Sequence, residues 1–305
     1  MNKKIIGLLM VAVILVFMGC SNQAGDNGGT GSNDYVSPTI GTLKYVPAGS
    51  FQRDDTPANI SIIKQAYRMS QYEITRLQFY LIFEYDPSDI SYSSGISDPV
   101  QMVNWYHAIA FCNKLSIAEG FTPVYSVSGV DFETLNYAGI PTTEDATWND
   151  ATADWNANGY RLPTEMEWQW AAMGAQDART KAFAGSDGSN VIGNYAVFGY
   201  NYPDETGRTT TARTNPVGSK LANELGLLDM SGNVWELCWD WYADEYPEGT
   251  IESDTAAGRG PNSGTLRVER GGGWPHLAEY CAVASRDYTN PYNQGGSRGF
   301  RMVRP

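Results

Sequence analysis

The chain has 305 residues, with 34 acidic against 21 basic side chains and a formal charge of -13. A surface of that sign repels a phosphate backbone, which excludes nucleic acid as a partner. The 4 cysteines, one of them beside an N-terminal apolar run, do not make a disulfide framework, so stability has to come from burying the 9 Trp, 19 Tyr and 10 Phe.

In chain order, residues 1–19 read as an export signal: Lys3 and Lys4 precede an uncharged run from Ile5 to Met18, too short for a membrane span. Gly19-Cys20 then offers a small residue followed by a thiol, the place where a lipoprotein signal peptidase would cut and leave Cys20 lipidated. The expected location is a bacterial membrane, with Ser21 compatible with onward transport to the outer membrane and exposure at the surface. A plain secretory signal is the alternative. Residues 20–34 contain no large apolar side chain and read as a flexible tether carrying Cys20. The folded body is therefore placed at 35–305, as one domain.

Gly41 to Phe51 alternates apolar and polar residues before Pro47-Ala48-Gly49, as a first edge strand entering a turn would. Ile60 to Met69 is again strand-like. Leu77 to Phe83 is read as a helix with Thr75 as N-cap. A longer helix begins after Asn104, with Trp105, Ala108, Cys112 and Leu115 on one stripe and Gly120 as its end. Cys112 is thereby assigned to packing. Thr164 and Glu167 form a capping box that opens a third helix, with Trp168, Ala171 and Ala172 buried. Residues 126–159 and 206–214 read as loops, so the fold class is a loop-rich α+β domain.

Five stretches in order carry a resemblance: Tyr45-Val46-Pro47-Ala48-Gly49 with Phe51; Pro99-Val100 leading to Phe111-Cys112-Asn113-Lys114-Leu115-Ser116; Gly159-Tyr160-Arg161-Leu162-Pro163-Thr164-Glu165; Gly226 to Glu236; and Arg267-Val268 through Arg270-Gly271-Gly272, closed by Gly299-Phe300-Arg301. Together they resemble the formylglycine-generating-enzyme (sulfatase-modifying factor) family. The resemblance implies a C-type lectin-like fold. It also implies calcium at the Gly232-Asn233-Val234-Trp235-Glu236 motif, where Asn233 and Glu236 supply oxygens suited to a hard cation. The other reading of these two residues is that they only hydrogen-bond a turn, and both stay open. No cofactor is otherwise required.

Enzymes of that family bind copper through two cysteines after the Arg-Gly-Gly motif. Laid on this chain, the second falls at Cys281 and the first at His276. A lone thiolate beside an imidazole is a poorer Cu(I) site, so the chain is read as non-catalytic, with a copper-dependent oxidase or a degenerate relative as the alternative. His107 and His276 are far apart in sequence, which argues against an iron oxygenase. Acid pairs such as Asp240 with Asp244 are read as solvated surface in a chain with 34 acids.

Between Gly273 and Gly299 the composition turns to Tyr, Asn, Ser and Gly, which is paratope-like. With its Arg-Gly-Gly and Gly-Phe-Arg brackets, the region 267–301 resembles the variable region of proteins diversified by retroelements, such as the treponemal variable proteins, exported lipoproteins of this fold. The resemblance implies contact residues at Trp274, Pro275, His276, Leu277, Glu279, Tyr280, Ser285, Asp287, Tyr288, Thr289, Tyr292 and Gln294. Ala278, Cys281, Ala282, Val283 and Ala284 are read as buried scaffold, with strands at Ala282–Ala284 and Phe300–Val303. The implied partner of this monomeric chain is a protein or glycan ligand on a host or neighbouring cell, with the membrane engaged through the lipid anchor.

Overall fold

The computed structural model describes residues 33–176, 182–188 and 192–305. The signal segment and Cys20 lie outside the described residues. Asn33–Pro305 forms one compact unit, and it begins slightly before the expected boundary because Asp34 is already tied down. Its carboxylate accepts from Lys44 Nζ at 2.6 Å and from the Tyr45 amide at 2.9 Å.

The chain starts with strands β1 (Tyr35–Ser37), β2 (Gly41–Val46), β3 (Gly49–Gln52), β4 (Ile60–Ile63) and β5 (Tyr67–Ser70). Helices α1 (Arg76–Phe83) and α2 (Trp105–Ala118) follow, then β6 (Tyr125–Ser126), α3 (Ala146–Asn149), β7 (Thr152–Ala153) and α4 (Glu165–Ala172). The C-terminal part supplies β8 (Trp235–Trp241), β9 (Ile251–Glu252), β10 (Arg267–Arg270), β11 (Asp287–Thr289), β12 (Arg298–Gly299) and β13 (Val303–Arg304). Sheet order is β1-β2-β5-β13 in one four-stranded sheet and β11-β10-β8-β12 in another, with β3-β4-β9 and β6-β7 as smaller ones. Pairing of β13 with β5 brings the C-terminus back beside the first strands.

Two expected strands divide. Gly41–Phe51 breaks at Pro47-Ala48 into β2 and β3, which enter different sheets, and the edge of the first sheet is β1 rather than β2. Ile60–Met69 breaks at residues 64–66 into β4 and β5. The three helices begin where their caps place them. The hydroxyls of Thr75 and Thr164 and the amide oxygen of Asn104 each accept from the backbone N–H three residues on, satisfying donors that a first helical turn leaves free.

Helix α2 runs through the larger core cluster, and Cys112 is fully buried in it. Helix α4 centres a second cluster with Trp168, Met230, Cys238 and Val268. Between them lies β8, buried at every position except Trp239. Its alternation sends Leu237 and Trp239 toward α2 and Glu236, Cys238 and Asp240 toward α4.

Candidate functional site

The site is the C-terminal segment from Gly271 to Gly299 together with the β8 motif beneath it. Gly232 has φ +85, and a Cβ there would lie 2.5 Å from the Val197 carbonyl oxygen, so the turn accepts only glycine. Asn233, also at positive φ, joins four stretches of chain. Its N–H donates to Val197 O at 2.8 Å, and its carbonyl accepts from Trp274 N at 2.9 Å. Its side chain accepts from Asn215 N at 3.0 Å and donates to Glu73 Oε2 at 3.3 Å.

Glu236 is fully buried and its two oxygens are both engaged. Arg301 donates to Oε1 and Oε2 at 2.6 Å each, and Trp168 Nε1 donates to Oε2 at 2.6 Å. Of the two readings of Asn233 and Glu236, the hydrogen-bonded one describes this geometry. A carboxylate clamped by a guanidinium has no charge left for a hard cation, so these two side chains do not fit calcium as a chelating pair. Among the described residues no cluster of three or more His, Cys, Asp or Glu is arranged to hold a metal ion.

Arg270 is the second buried clamp. It donates to Val283 O at 2.9 Å and also to Ala284 O and Ser285 O. These contacts fix the turn that carries Ala282–Ala284. That stretch is not a strand, because its carbonyls point at one guanidinium rather than at a neighbouring chain. Ala284 is exposed rather than buried scaffold, and Ala278 and Ala282 are half-buried. The expected strand at Phe300–Val303 is not formed either: residues 300–302 connect β12 to β13, and only Val303 is in a strand.

The twelve residues implied as contacts fall into three groups. Glu279, Tyr280 and Tyr288 are exposed, while Pro275, His276, Leu277, Ser285, Asp287, Tyr292 and Gln294 are half-buried. Trp274 and Thr289 are buried, and this corrects their assignment to the contact surface. Trp274 lies against Tyr92 and Tyr200 and donates from Nε1 to Gly296 O at 3.0 Å. Gln294 spends its amide on Met102 O at 2.7 Å. The Trp235 indole N–H donates to His276 Nδ1 at 3.2 Å, and Tyr280 stands edge-on to both rings.

The copper reading meets an obstacle in the same place. Cys281 is fully buried, and burial pushes its thiol far above the usual range. Burial also lowers the His276 pKa, so its ring is neutral. Cys281 is also the only cysteine that follows Arg270-Gly271-Gly272, so the pair of thiolates that selects Cu(I) is not supplied by this stretch of sequence. Cys112 and Cys238 are buried and free as well.

A long-looped α+β body with its first and last strands at opposite edges of one sheet and a C-terminal segment clamped on a buried arginine defines the formylglycine-generating-enzyme type of C-type lectin-like fold. The chain belongs to the family of sulfatase-modifying factor enzyme 1-like domains, whose model matches residues 33–305. It is 30% identical to the chaperone protein LppX of Paenibacillus barcinonensis over 99% of both chains. The formylglycine-generating enzyme of Streptomyces coelicolor is 37% identical over 52% of this chain and 50% of its own length, so the likeness spans about half of that enzyme. Among solved structures, Treponema denticola variable protein 1 matches 90% of this chain and 100% of its own with a TM-score of 0.77 and 35% identity.

Proposed function

We propose that the chain is a lipid-anchored, surface-displayed binding protein with no catalytic role, whose C-terminal segment recognises a protein or glycan ligand. The observation that supports this best is the division of labour around Arg270. One buried guanidinium holds three consecutive carbonyls, so the backbone is fixed by side chains that lie outside the contact surface. Tyr280 and Tyr288, 37% and 47% exposed, stand on that fixed backbone. Rigid presentation lowers the entropy lost on binding, and tyrosine offers wide amphipathic contact at small conformational cost. The similarity to a variable protein is consistent with exchange of these side chains, and the LppX name is consistent with Cys20 as a lipidated residue.

Comparison of the gene among isolates tests the reading. Substitutions should gather at the codons of Pro275, His276, Leu277, Glu279, Tyr280, Asp287, Tyr288 and Tyr292, while Trp274, Cys281 and Thr289 stay constant; substitutions spread evenly along 33–305 would refute it. The oxidase alternative is tested directly. Incubation with copper, oxygen and a cysteine-containing sulfatase peptide should leave the peptide cysteine unconverted, and formation of its aldehyde would replace this proposal. Radiolabelled palmitate should enter the wild-type chain in cells and should not enter Cys20→Ala.

A further inference from the structure

Around β8 and α4, four buried glutamates each have an arginine. Glu165 receives Arg286 at 2.7 and 2.8 Å. Glu167 receives Arg161 at 2.6 and 2.7 Å. Glu236 has Arg301, and Glu269 has Arg298 at 2.5 and 3.1 Å. Asp240, on the same face of β8 as Glu236, does not follow this rule. It is 5% exposed, it accepts the Glu165 N–H at 2.8 Å at the start of α4, and no ion pair among the described residues includes it. An unpaired carboxylate out of water is costly, and the place of Asp240 in the fold gives that cost a use.

Asp240 lines a cavity of about 280 Å³ whose other walls include Met166, Trp241, Tyr246, Pro247 and Ile251. The arginines at its border are already committed, Arg286 to Glu165 and Arg53 to the carbonyls of Pro247 and Gly249. A larger cavity of about 590 Å³ shares Arg53, Gln169, Glu245, Tyr246 and Arg286 with it, and carries Asp54, Asp55, Asp244 and Glu248 besides. The outer space is thus negative and the inner one apolar, with an acid outside any ion pair on its wall.

We infer that this inner cavity is a fixed binding site, separate from the exchangeable C-terminal side chains, for a primary ammonium group on a short unbranched apolar stem, with the ammonium paired to Asp240. Apolar walls receive the methylenes. Asp240 supplies a buried charge outside any ion pair among the described residues, and the outer carboxylates attract a cation of this kind from solution. A divalent metal is a poor fit, because it needs six or more oxygens and the walls are mostly hydrocarbon. A free alkylamine and a lysine side chain of a partner protein share this chemistry.

Calorimetry on the full chain with n-pentylammonium, n-pentanol and N-acetyl-lysine methylamide tests the inference. The ammonium should bind, pentanol should bind at least tenfold more weakly, and shortening the stem by one carbon should weaken binding about fourfold. Binding of the lysine derivative points to a protein partner, and binding of pentylammonium alone points to a free amine. Other charges facing Asp240 are Glu165 and Glu167, both paired, and Arg267, which donates to Trp239 O and lies between Trp105 and Trp241. Burial and the neighbouring Glu165 raise the Asp240 pKa to about 8, so ammonium affinity should rise with pH until about 8 and then level. Asp240→Asn keeps the size and the acceptor for Glu165; it should lose at least tenfold in ammonium affinity along with the pH dependence, and keep pentanol binding. Ala257→Phe, on the exposed rim, should block both ligands. Ammonium binding that is unchanged in Asp240→Asn, or absent from the wild-type chain, would overturn the assignment, whereas loss of C-terminal ligand recognition would leave it standing.

Discussion

Strand β8 and the segment from Pro275 to Gln294, whose β11 is separated from β8 by β10, use their polar groups in opposite ways. In β8, Glu236 is fully buried and both its oxygens meet nitrogen donors. In the C-terminal segment the backbone is what is satisfied: Arg270 takes Val283, Ala284 and Ser285, and the His276 and Trp274 carbonyls accept from Gly199 N and Tyr200 N at 2.6 and 3.0 Å. Apart from Cys281, Val283, Thr289 and Pro291, which are buried, its side chains remain half-buried or exposed. A fold divided like this tolerates change at the surface because its specificity is stored beneath.

That contrast orders the effects of mutation. Arg301→Ala leaves the Glu236 carboxylate buried without its cation and should cost about 3–5 kcal/mol, read as a lower urea midpoint. Trp274→Ala removes a buried ring wedged against Tyr92 and Tyr200 and should cost roughly 3 kcal/mol, although the residue sits among the implied contacts. A graded effect comes with pH. Asp240 has a pKa of about 8 in the fold against about 3.9 unfolded, so the native state binds the extra proton between those values. Its contribution to stability is complete below the unfolded pKa and is lost as pH rises through the folded one. Asp240→Asn should flatten this decline by up to about 1.4 kcal/mol per pH unit, visible in denaturation series at pH 5 to 8. Least affected should be Tyr288→Ala, whose stability should stay within about 0.5 kcal/mol of wild type while binding through the segment weakens. A loss in Tyr288→Ala as large as that in Trp274→Ala would erase the distinction between surface and support.

Legibility followed sequence distance. Thr75, Asn104 and Thr164 announced their helices because each cap bonds a residue three positions away. The position of Cys112 in the core was readable from the α2 stripe for the same reason. Arg286 and Glu165 are 121 residues apart, and Arg301 and Glu236 are 65 apart, distances at which no periodic pattern connects an acid to its base. Asp240 was read with Asp244 as solvated surface because acids are numerous; only the packing of β8 on α4 made it a buried group beside a cavity. Ala282–Ala284 looked like a buried strand because small apolar residues suit one, and nothing local revealed that an arginine would gather its carbonyls.

By itself the sequence determined the α+β class, the helix starts, the ordered motifs of the family and a C-terminal segment rich in contact-type side chains. These rest on local hydrogen bonding and on side-chain composition, which the chain carries wherever it folds. The tertiary structure decided which of those side chains face solvent, which carboxylates are paired, and which one is left facing a cavity. Burial and charge pairing depend on what distant segments place opposite each residue, and that is settled only when the sheets and helices meet.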